Sequence, residues 1–401
     1  MIILKKIYYK IMHFSNKMSY YFGRLYPVDD KMIVLESEGD FSDNAEALYN
    51  YMKTNGFLRT YRVIWLVDNP KVFTNTSNTI YISKKSGTIW FKAMYYLART
   101  KFFFYDHNNL LEYENLMKRK EQCIVYLTHG TAFKDSKNED INVTRYFDKL
   151  ISLGKLSTDI MCHFWNCSPN KVVELGEPRQ DYYYSDLSST KLKLNNLYSI
   201  NQYKKVILWM PTFRKSYNPR LSESYSKTQT GLPIINTKDD LKNLDKFLGE
   251  INVCILLKIH HLQADLPIFA EKFDNIYIVK DSVLKRNGIK LYKFIAVTDS
   301  LITDYSSISV DYLPLAKPII YTLDDYEEYK SSRGIYPKNA IEYMPGEHVI
   351  NVNQLKNALI NIVNNKDSYT KERERVTNLF YAFKPGKASQ RILDYFNVKK
   401  D

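Results

Sequence analysis

The chain has 401 residues, with 57 Lys and Arg against 44 Asp and Glu, a net charge of +13. At ~100–200 residues per domain the length predicts two or three domains. With 45% hydrophobic and 25% charged residues, the composition excludes a disordered chain, a disulfide-stapled mini-protein and a collagen-like repeat. No stretch reaches the ~18 consecutive apolar residues of a membrane span. Four cysteines without paired spacing suggest a reducing cytoplasm. The excess positive charge calls for a polyanionic partner, but by itself does not choose among nucleic acid, anionic membrane and a phosphate-rich substrate.

The first element is an amphipathic helix. Lys5, Lys6, Lys10, Lys17 and Arg24 precede the first acid, Asp29. At about 100 degrees per residue, Leu4, Ile7, Tyr8, Ile11, Phe14, Met18, Phe22 and Leu25 share a face, with Lys6, Lys10, Lys17 and Arg24 opposite. The lysines interrupt any secretory apolar core and no small-residue cleavage site follows. The pattern fits a helix lying in a membrane interface; the competing reading packs its apolar face on the protein's own core.

Alternating strands and helices follow. Strand-like runs occupy Met32–Glu36, Arg62–Val67, Thr79–Ile82, Lys101–Tyr105 and Cys123–Leu127, with helical patterns at Asp43–Thr54 and Thr88–Thr100. A polar stretch, Asp186–Gln202, reads as a linker. Strands resume at Lys205–Met210, Val253–Lys258, Ile276–Val279, Leu301–Thr303 and Pro318–Tyr321. Helical segments fall at Asp240–Leu248, Ser307–Pro314, Asn353–Asn364 and Ser368–Ala382. The alternation implies parallel sheets of βαβ units, an α/β chain with two doubly wound domains facing a cleft. The expected division is a helix over 1–27, a first domain over 28–190 and a second over 200–401. Ligands in such folds bind beyond the carboxyl ends of strands.

Four strand-end loops concentrate chemistry. After Cys123–Leu127 come His129, Gly130, Thr131 and Lys134: a proton-transfer group, a residue permitting close backbone approach, and a cation for phosphate. The bland alternative is a core histidine beside a turn glycine. After Lys205–Met210 come Pro211, Thr212 and Arg214, whose guanidinium suits bidentate phosphate binding, or is merely solvated. In the third loop, strand alternation puts Lys258 and His260 on one side, while His261 points away, which argues against a metal pair. The fourth, Thr303-Asp304-Tyr305-Ser306-Ser307 followed by Asp311, ends a strand where a helix is expected near Ser306. A helix amino terminus with two serine hydroxyls suits a phosphate, although helix capping alone explains these residue types.

Together the loops resemble the CDP-glycerol glycerophosphotransferase family, which makes teichoic acids and related capsular polymers. Its His-Gly-Thr-x-x-Lys is matched by His129, Gly130, Thr131 and Lys134, and its Gly-x-Pro-Arg-x-Asp by Gly176, Pro178, Arg179 and Asp181. Pro-Thr-Phe-Arg is matched by Pro211 to Arg214, a basic residue two before a histidine by Lys258 and His260, and Thr-Asp-Tyr-Ser-Ser with a later Asp by Thr303 to Ser307 and Asp311. The resemblance runs from about Lys31 to about residue 385. Thr128, Ala132 and His261 stand where the family often has Trp, Pro and Pro.

The resemblance implies a GT-B-like fold and transfer of glycerol phosphate from CDP-glycerol to a hydroxyl of a lipid-linked or polymer acceptor, with release of CMP. It implies His129 as general base and His260 as stabiliser of the transferring phosphoryl group or acid to CMP. Donor binding falls to Gly130, Thr131, Lys134, Arg179, Pro211, Thr212, Arg214, Lys258, Ser306, Ser307 and Asp311. No Asp-x-Asp motif appears, so no metal and no cofactor are expected. The expected location is peripheral, at an anionic membrane surface on the cytoplasmic side, with no nucleic-acid partner. The rival readings are a CDP-ribitol transferase, a GT-B glycosyltransferase using a nucleotide sugar, and a non-catalytic polyanion-binding module docked on the membrane.

Overall fold

A computed structural model of the chain describes residues 2–85, 90–135, 146–212, 228–259, 267–383 and 386–400. Thirteen strands form among these residues. The first seven are β1 (Asp29–Glu36), β2 (Arg62–Val67), β3 (Thr79–Ser83), β4 (Thr100–Tyr105), β5 (Cys123–Tyr126), β6 (Lys149–Ser152) and β7 (Val172–Glu174). They make one sheet in the order β3-β2-β1-β4-β5-β6-β7. The other six are β8 (Lys205–Trp209), β9 (Val253–Leu257), β10 (Ile276–Ile278), β11 (Ser300–Thr303), β12 (Ile319–Thr322) and β13 (Glu347–Val349). They make a second sheet in the order β10-β9-β8-β11-β12-β13. Every pairing is parallel.

Parallel strands need helical crossovers on both faces, so their sequences read as continuous apolar runs. In β1, Met32 and Val34 enter one core with Leu66 and Phe103, while Ile33 and Leu35 enter another with Trp65 and Phe104. The strand order reverses between β1 and β4 in the first sheet and between β8 and β11 in the second. Such switch points open the crevices where ligands bind in open α/β sheets.

The described chain divides into two units. One comprises residues 2–129, 146–182 and 386–400; the other comprises 130–135 and the described residues of 183–383. This departs from the division expected over 28–190 and 200–401. Ile392, Leu393 and Val398 pack into the first unit's core, and the Asp181 carboxylate accepts the N–H groups of Ala388 and Ser389 at 2.8 and 2.9 Å. The last helix, Ala388–Tyr395, therefore belongs with the first sheet. Residues 130–135 belong with the second: Phe133 is fully buried beside Phe380, and the Asp135 N–H donates to Gly334 O at 3.2 Å.

The stretch read as a linker holds an eleven-residue helix, Ser188–Tyr198. Its sequence is polar overall, yet Thr190, Leu194 and Tyr198 recur at four-residue spacing and are buried. Strands β6, β7 and β13 have no counterpart among the runs identified from the sequence. The amino-terminal helix spans Ile2–Gly23. Its apolar stripe is exposed, with Leu4 at 73%, Ile11 at 57% and Phe14 at 66%, which rules out its packing on the protein's own core. The opposite side, bearing Met12, Asn16, Ser19, Tyr20 and Gly23, is buried instead. By the same helical angle, Lys6, Lys10, Lys17 and Arg24 flank the stripe rather than oppose it.

Candidate active site

In the first unit the carboxyl ends of β1, β4 and β5 assemble around His129. Thr128 turns the chain out of the sheet at φ 58°, a conformation disfavoured for a β-branched residue. Asn44 holds this turn: its Nδ2 donates to Leu127 O and Thr128 O at 3.2 and 2.9 Å. Gly130 follows at φ 121°, where a side chain would strain the backbone. His129 is thereby left exposed at the tip. Its Nδ1 lies 3.1 Å from the backbone carbonyl of Asp106 and 3.2 Å from the Tyr126 hydroxyl. A carbonyl has no proton to give, so in the neutral ring this contact favours the hydrogen on Nδ1 and the lone pair on Nε2. That is the tautomer a general base needs.

The wall behind His129 is a network of buried charge. The Asp106 carboxylate is fully buried and accepts the N–H groups of Ala45 and Glu38 at 2.9 and 3.1 Å. Burial, reinforced by the nearby Asp43 charge, pushes its carboxyl well above the usual range. Arg179 donates to Glu177 through Nε at 2.8 Å and Nη2 at 2.7 Å, and to Asp43 through Nη1 at 2.8 Å. Its backbone N–H donates to Asn44 Oδ1 at 3.1 Å. The Arg179 guanidinium, expected to grip a diphosphate, is buried and engaged by two carboxylates, while its backbone N–H steadies the Asn44 turn. At the end of β1, Glu36 is fully buried with no hydrogen-bond partner on either carboxylate oxygen. Lys84 Nζ stands 3.8 Å away, and burial pushes the Glu36 carboxyl up to about 8.

In the second unit the switch point is stapled by Asp304. This buried carboxylate accepts the Thr212 N–H at 2.9 and 3.0 Å, the Thr212 hydroxyl, and the Ser306 N–H at 3.1 Å. The loops after β8 and β11 are thus tied together, and Thr303 Oγ1 adds a 2.8 Å bond to Met210 O. The helix expected from Ser307 is short: Ile308–Tyr312, followed by a 3-10 turn over Leu313–Leu315. The Ser306 N–H is directed to Asp304, so of the groups on Ser306 it is the hydroxyl that is left to meet a ligand. The hydroxyls of Ser306 and Ser307 are half-buried and have no partner among the described residues. Lys258 Nζ pairs with Asp281 at 2.8 Å, and its N–H donates to Trp209 O at 2.9 Å. Asp311 is buried; its carboxylate accepts the Tyr292 hydroxyl at 2.7 Å and its carbonyl the Tyr183 hydroxyl at 3.0 Å. Both contacts brace the loop from within the second unit.

The comparisons with known proteins agree with this architecture. Residues 18–397 match the family described as CDP-glycerol:poly(glycerophosphate) glycerophosphotransferase. The chain belongs to this family. A teichoic acid poly(glycerol phosphate) polymerase of Staphylococcus epidermidis is 28% identical over 92% of this chain, which spans 50% of that relative's length. A teichoic acid glycerol-phosphate transferase of Staphylococcus aureus is 29% identical over 88% of both chains. A teichoic acid ribitol-phosphate primase of Bacillus spizizenii is 24% identical over 93% of this chain and 92% of that one. Among solved structures, the wall teichoic acid polymerase TagF with CDPG superposes with a TM-score of 0.77 at 24% identity, covering 98% of this chain and 96% of that one. A UDP-N-acetylglucosamine 2-epimerase from Listeria monocytogenes shares the fold at a TM-score of 0.51.

The glycerophosphotransferase motifs fall into two groups by unit. His129, Arg179 and Asp181 lie in the first; Gly130, Thr131, Lys134, Pro211, Thr212, Lys258, Ser306, Ser307 and Asp311 lie in the second. Thr131 is buried and Lys134 half-buried. His260, His261, Phe213 and Arg214 lie outside the described residues. Among the described residues no three His, Cys, Asp or Glu are grouped to hold a metal. Sequence reasoning placed Asp304 in the fourth strand-end loop without its stapling role, and missed Asp106 altogether. Asp106 stands immediately after β4, so the same strand-end rule that found His129 was available for it.

Proposed function

We propose that the chain transfers glycerol phosphate from CDP-glycerol to a hydroxyl on a membrane-linked acceptor, releasing CMP, in the synthesis of teichoic acid or a related capsular polymer. The observation that carries this reading is the His129 ring, exposed after β5 with its Nδ1 3.1 Å from the Asp106 carbonyl, which leaves Nε2 toward solvent as the candidate base. The acceptor hydroxyl gives its proton to Nε2 as its oxygen attacks the β-phosphorus. The bond from that phosphorus to the CMP oxygen then breaks, and CMP leaves with the electron pair. A positioned base of this kind contributes ~10²–10⁴-fold. Thr212, Ser306 and Ser307, with Lys134 and Lys258, supply donors and positive charge toward the diphosphate. In this reading Arg214 and His260 join them and no metal takes part.

The exposed stripe of the amino-terminal helix supports a peripheral place on an anionic bilayer. Leu4, Ile7, Ile11, Phe14, Met18 and Phe22 offer apolar surface, and the flanking lysines complement lipid phosphates. A polar latch sets the helix's angle on the domain. Glu114 Oε2 bonds His13 Nδ1 at 2.8 Å, Glu114 Oε1 accepts Asn16 Nδ2 at 2.9 Å, and Asn16 Oδ1 accepts the Trp90 N–H at 2.6 Å. No helix among the described residues is long and apolar enough to cross a membrane.

Relatives acting on glycerol phosphate and on ribitol phosphate are both present, so the polyol is set by experiment. The protein is incubated with CDP-glycerol, CDP-ribitol or a UDP-sugar and a lipid-linked acceptor, and the product mass is read. A gain of glycerol phosphate with CMP release supports the reading. A gain of ribitol phosphate replaces the donor, and a gain of a sugar replaces the reaction.

A further inference from the structure

His107 stands in the turn after β4, one residue beyond Asp106 and beside the end of β5. Its imidazole centroid lies 5.5 Å from that of His129, edge to face at 63°. The ring is exposed and its nitrogens have no hydrogen-bond partner among the described residues. Nor do the motifs shared with the family include this position.

We propose that His107 is an acceptor-side residue, forming with His129 a two-imidazole seat for the attacking hydroxyl. The proposal rests on the reading of His129 as base. His107 holds the oxygen by a hydrogen bond while His129 Nε2 receives the proton, so the hydroxyl is oriented before its bond to phosphorus forms.

The charges around His107 suit that task. Desolvation lowers its pKa most. Glu38, from the turn after β1, and Asp43, at the start of its helix, oppose this, while His129 and Lys84 add to it. The net direction is downward, so the ring is neutral at pH 7, with one nitrogen to donate and one to accept. A protonated ring loses the accepting nitrogen and places a second cation beside the base.

The test measures CMP release from CDP-glycerol with a lipid-carried glycerol-phosphate oligomer bearing a free terminal hydroxyl. Wild type, His107→Ala, His107→Gln and His129→Ala are compared over about pH 5–9, with melting curves to confirm folding. His107→Ala is expected to raise the acceptor KM roughly tenfold, the worth of one hydrogen bond, with the donor KM unchanged. The acid limb of kcat/KM loses one proton's dependence. His107→Gln restores the acceptor KM but not that proton. An unchanged acceptor KM and acid limb in His107→Ala overturns the proposal, as does a loss confined to kcat. Undiminished turnover in His129→Ala removes the base reading through a different variant, so the two failures are told apart.

Discussion

The ring of His129 is held by the backbone carbonyl of Asp106, 3.1 Å from Nδ1. A backbone acceptor cannot change its protonation state, so the tautomer persists wherever the imidazole is neutral. Asp106 is itself fixed by the N–H groups its carboxylate accepts from Ala45 and Glu38. The position of the His129 ring therefore depends on three strand ends rather than on one loop.

His129→Ala is expected to reduce CMP release by ~10²–10⁴-fold, the contribution of one positioned base. The ring is exposed, so the melting temperature stays near that of wild type. Parallel rate and melting measurements check both halves of the expectation.

Asp304→Ala leaves the N–H groups of Thr212 and Ser306 and the Thr212 hydroxyl without their carboxylate in a buried site. The expected loss is roughly 3 kcal/mol in denaturant unfolding. Replacing both Ser306 and Ser307 with Ala removes hydroxyls that brace nothing. That variant is expected to keep wild-type stability while its KM for CDP-glycerol rises about tenfold. Reversal of these two patterns would assign the loop's serines to the scaffold.

Glu36 makes stability depend on pH. Its carboxyl is raised from 4.5 to about 8, so the folded protein holds a proton there that the unfolded chain releases. The stabilisation is whole below pH ~4.5 and is lost as pH rises through the folded value. Glu36→Gln is expected to flatten this decline. Compared with wild type, its relative stability should grow between pH 5 and 8 by an amount on the order of a few kcal/mol, read by unfolding at each pH.

On anionic vesicles, Ile11→Ser combined with Phe14→Ser is expected to weaken binding by at least tenfold, since each loses burial worth roughly 1.5–3 kcal/mol when fully inserted. Neither residue touches the Glu114 latch, so folding is unaffected. Co-sedimentation with vesicles of anionic and of neutral lipid separates the apolar from the charged contribution.

Much of the fold was legible because parallel strands buried on both faces announce themselves as apolar runs. β2 over Arg62–Val67 and the helix Asp43–Thr54 coincide with their sequence patterns. What was illegible depended on distant partners. Nothing local in Arg179 reveals that Asp43, 136 positions earlier, engages its guanidinium. Nothing in Asp181 reveals the helix 207 positions later whose N–H groups it accepts. Both residues read as ligand-binding or motif positions, and both hold the first unit together. The helix Ser188–Tyr198 was hidden for a different reason: three buried residues in eleven are too narrow a stripe to outweigh a polar average.

The most direct test joins product mass to the base. Wild-type protein and His129→Ala are each incubated with CDP-glycerol and a lipid-linked acceptor, and product mass and CMP are quantified together. The account predicts that wild type adds one glycerol phosphate for every CMP released, while folded His129→Ala forms both ~10²–10⁴-fold more slowly. Product of the same mass at comparable rate from His129→Ala, or CMP release with no mass gain on the acceptor in wild type, would contradict it.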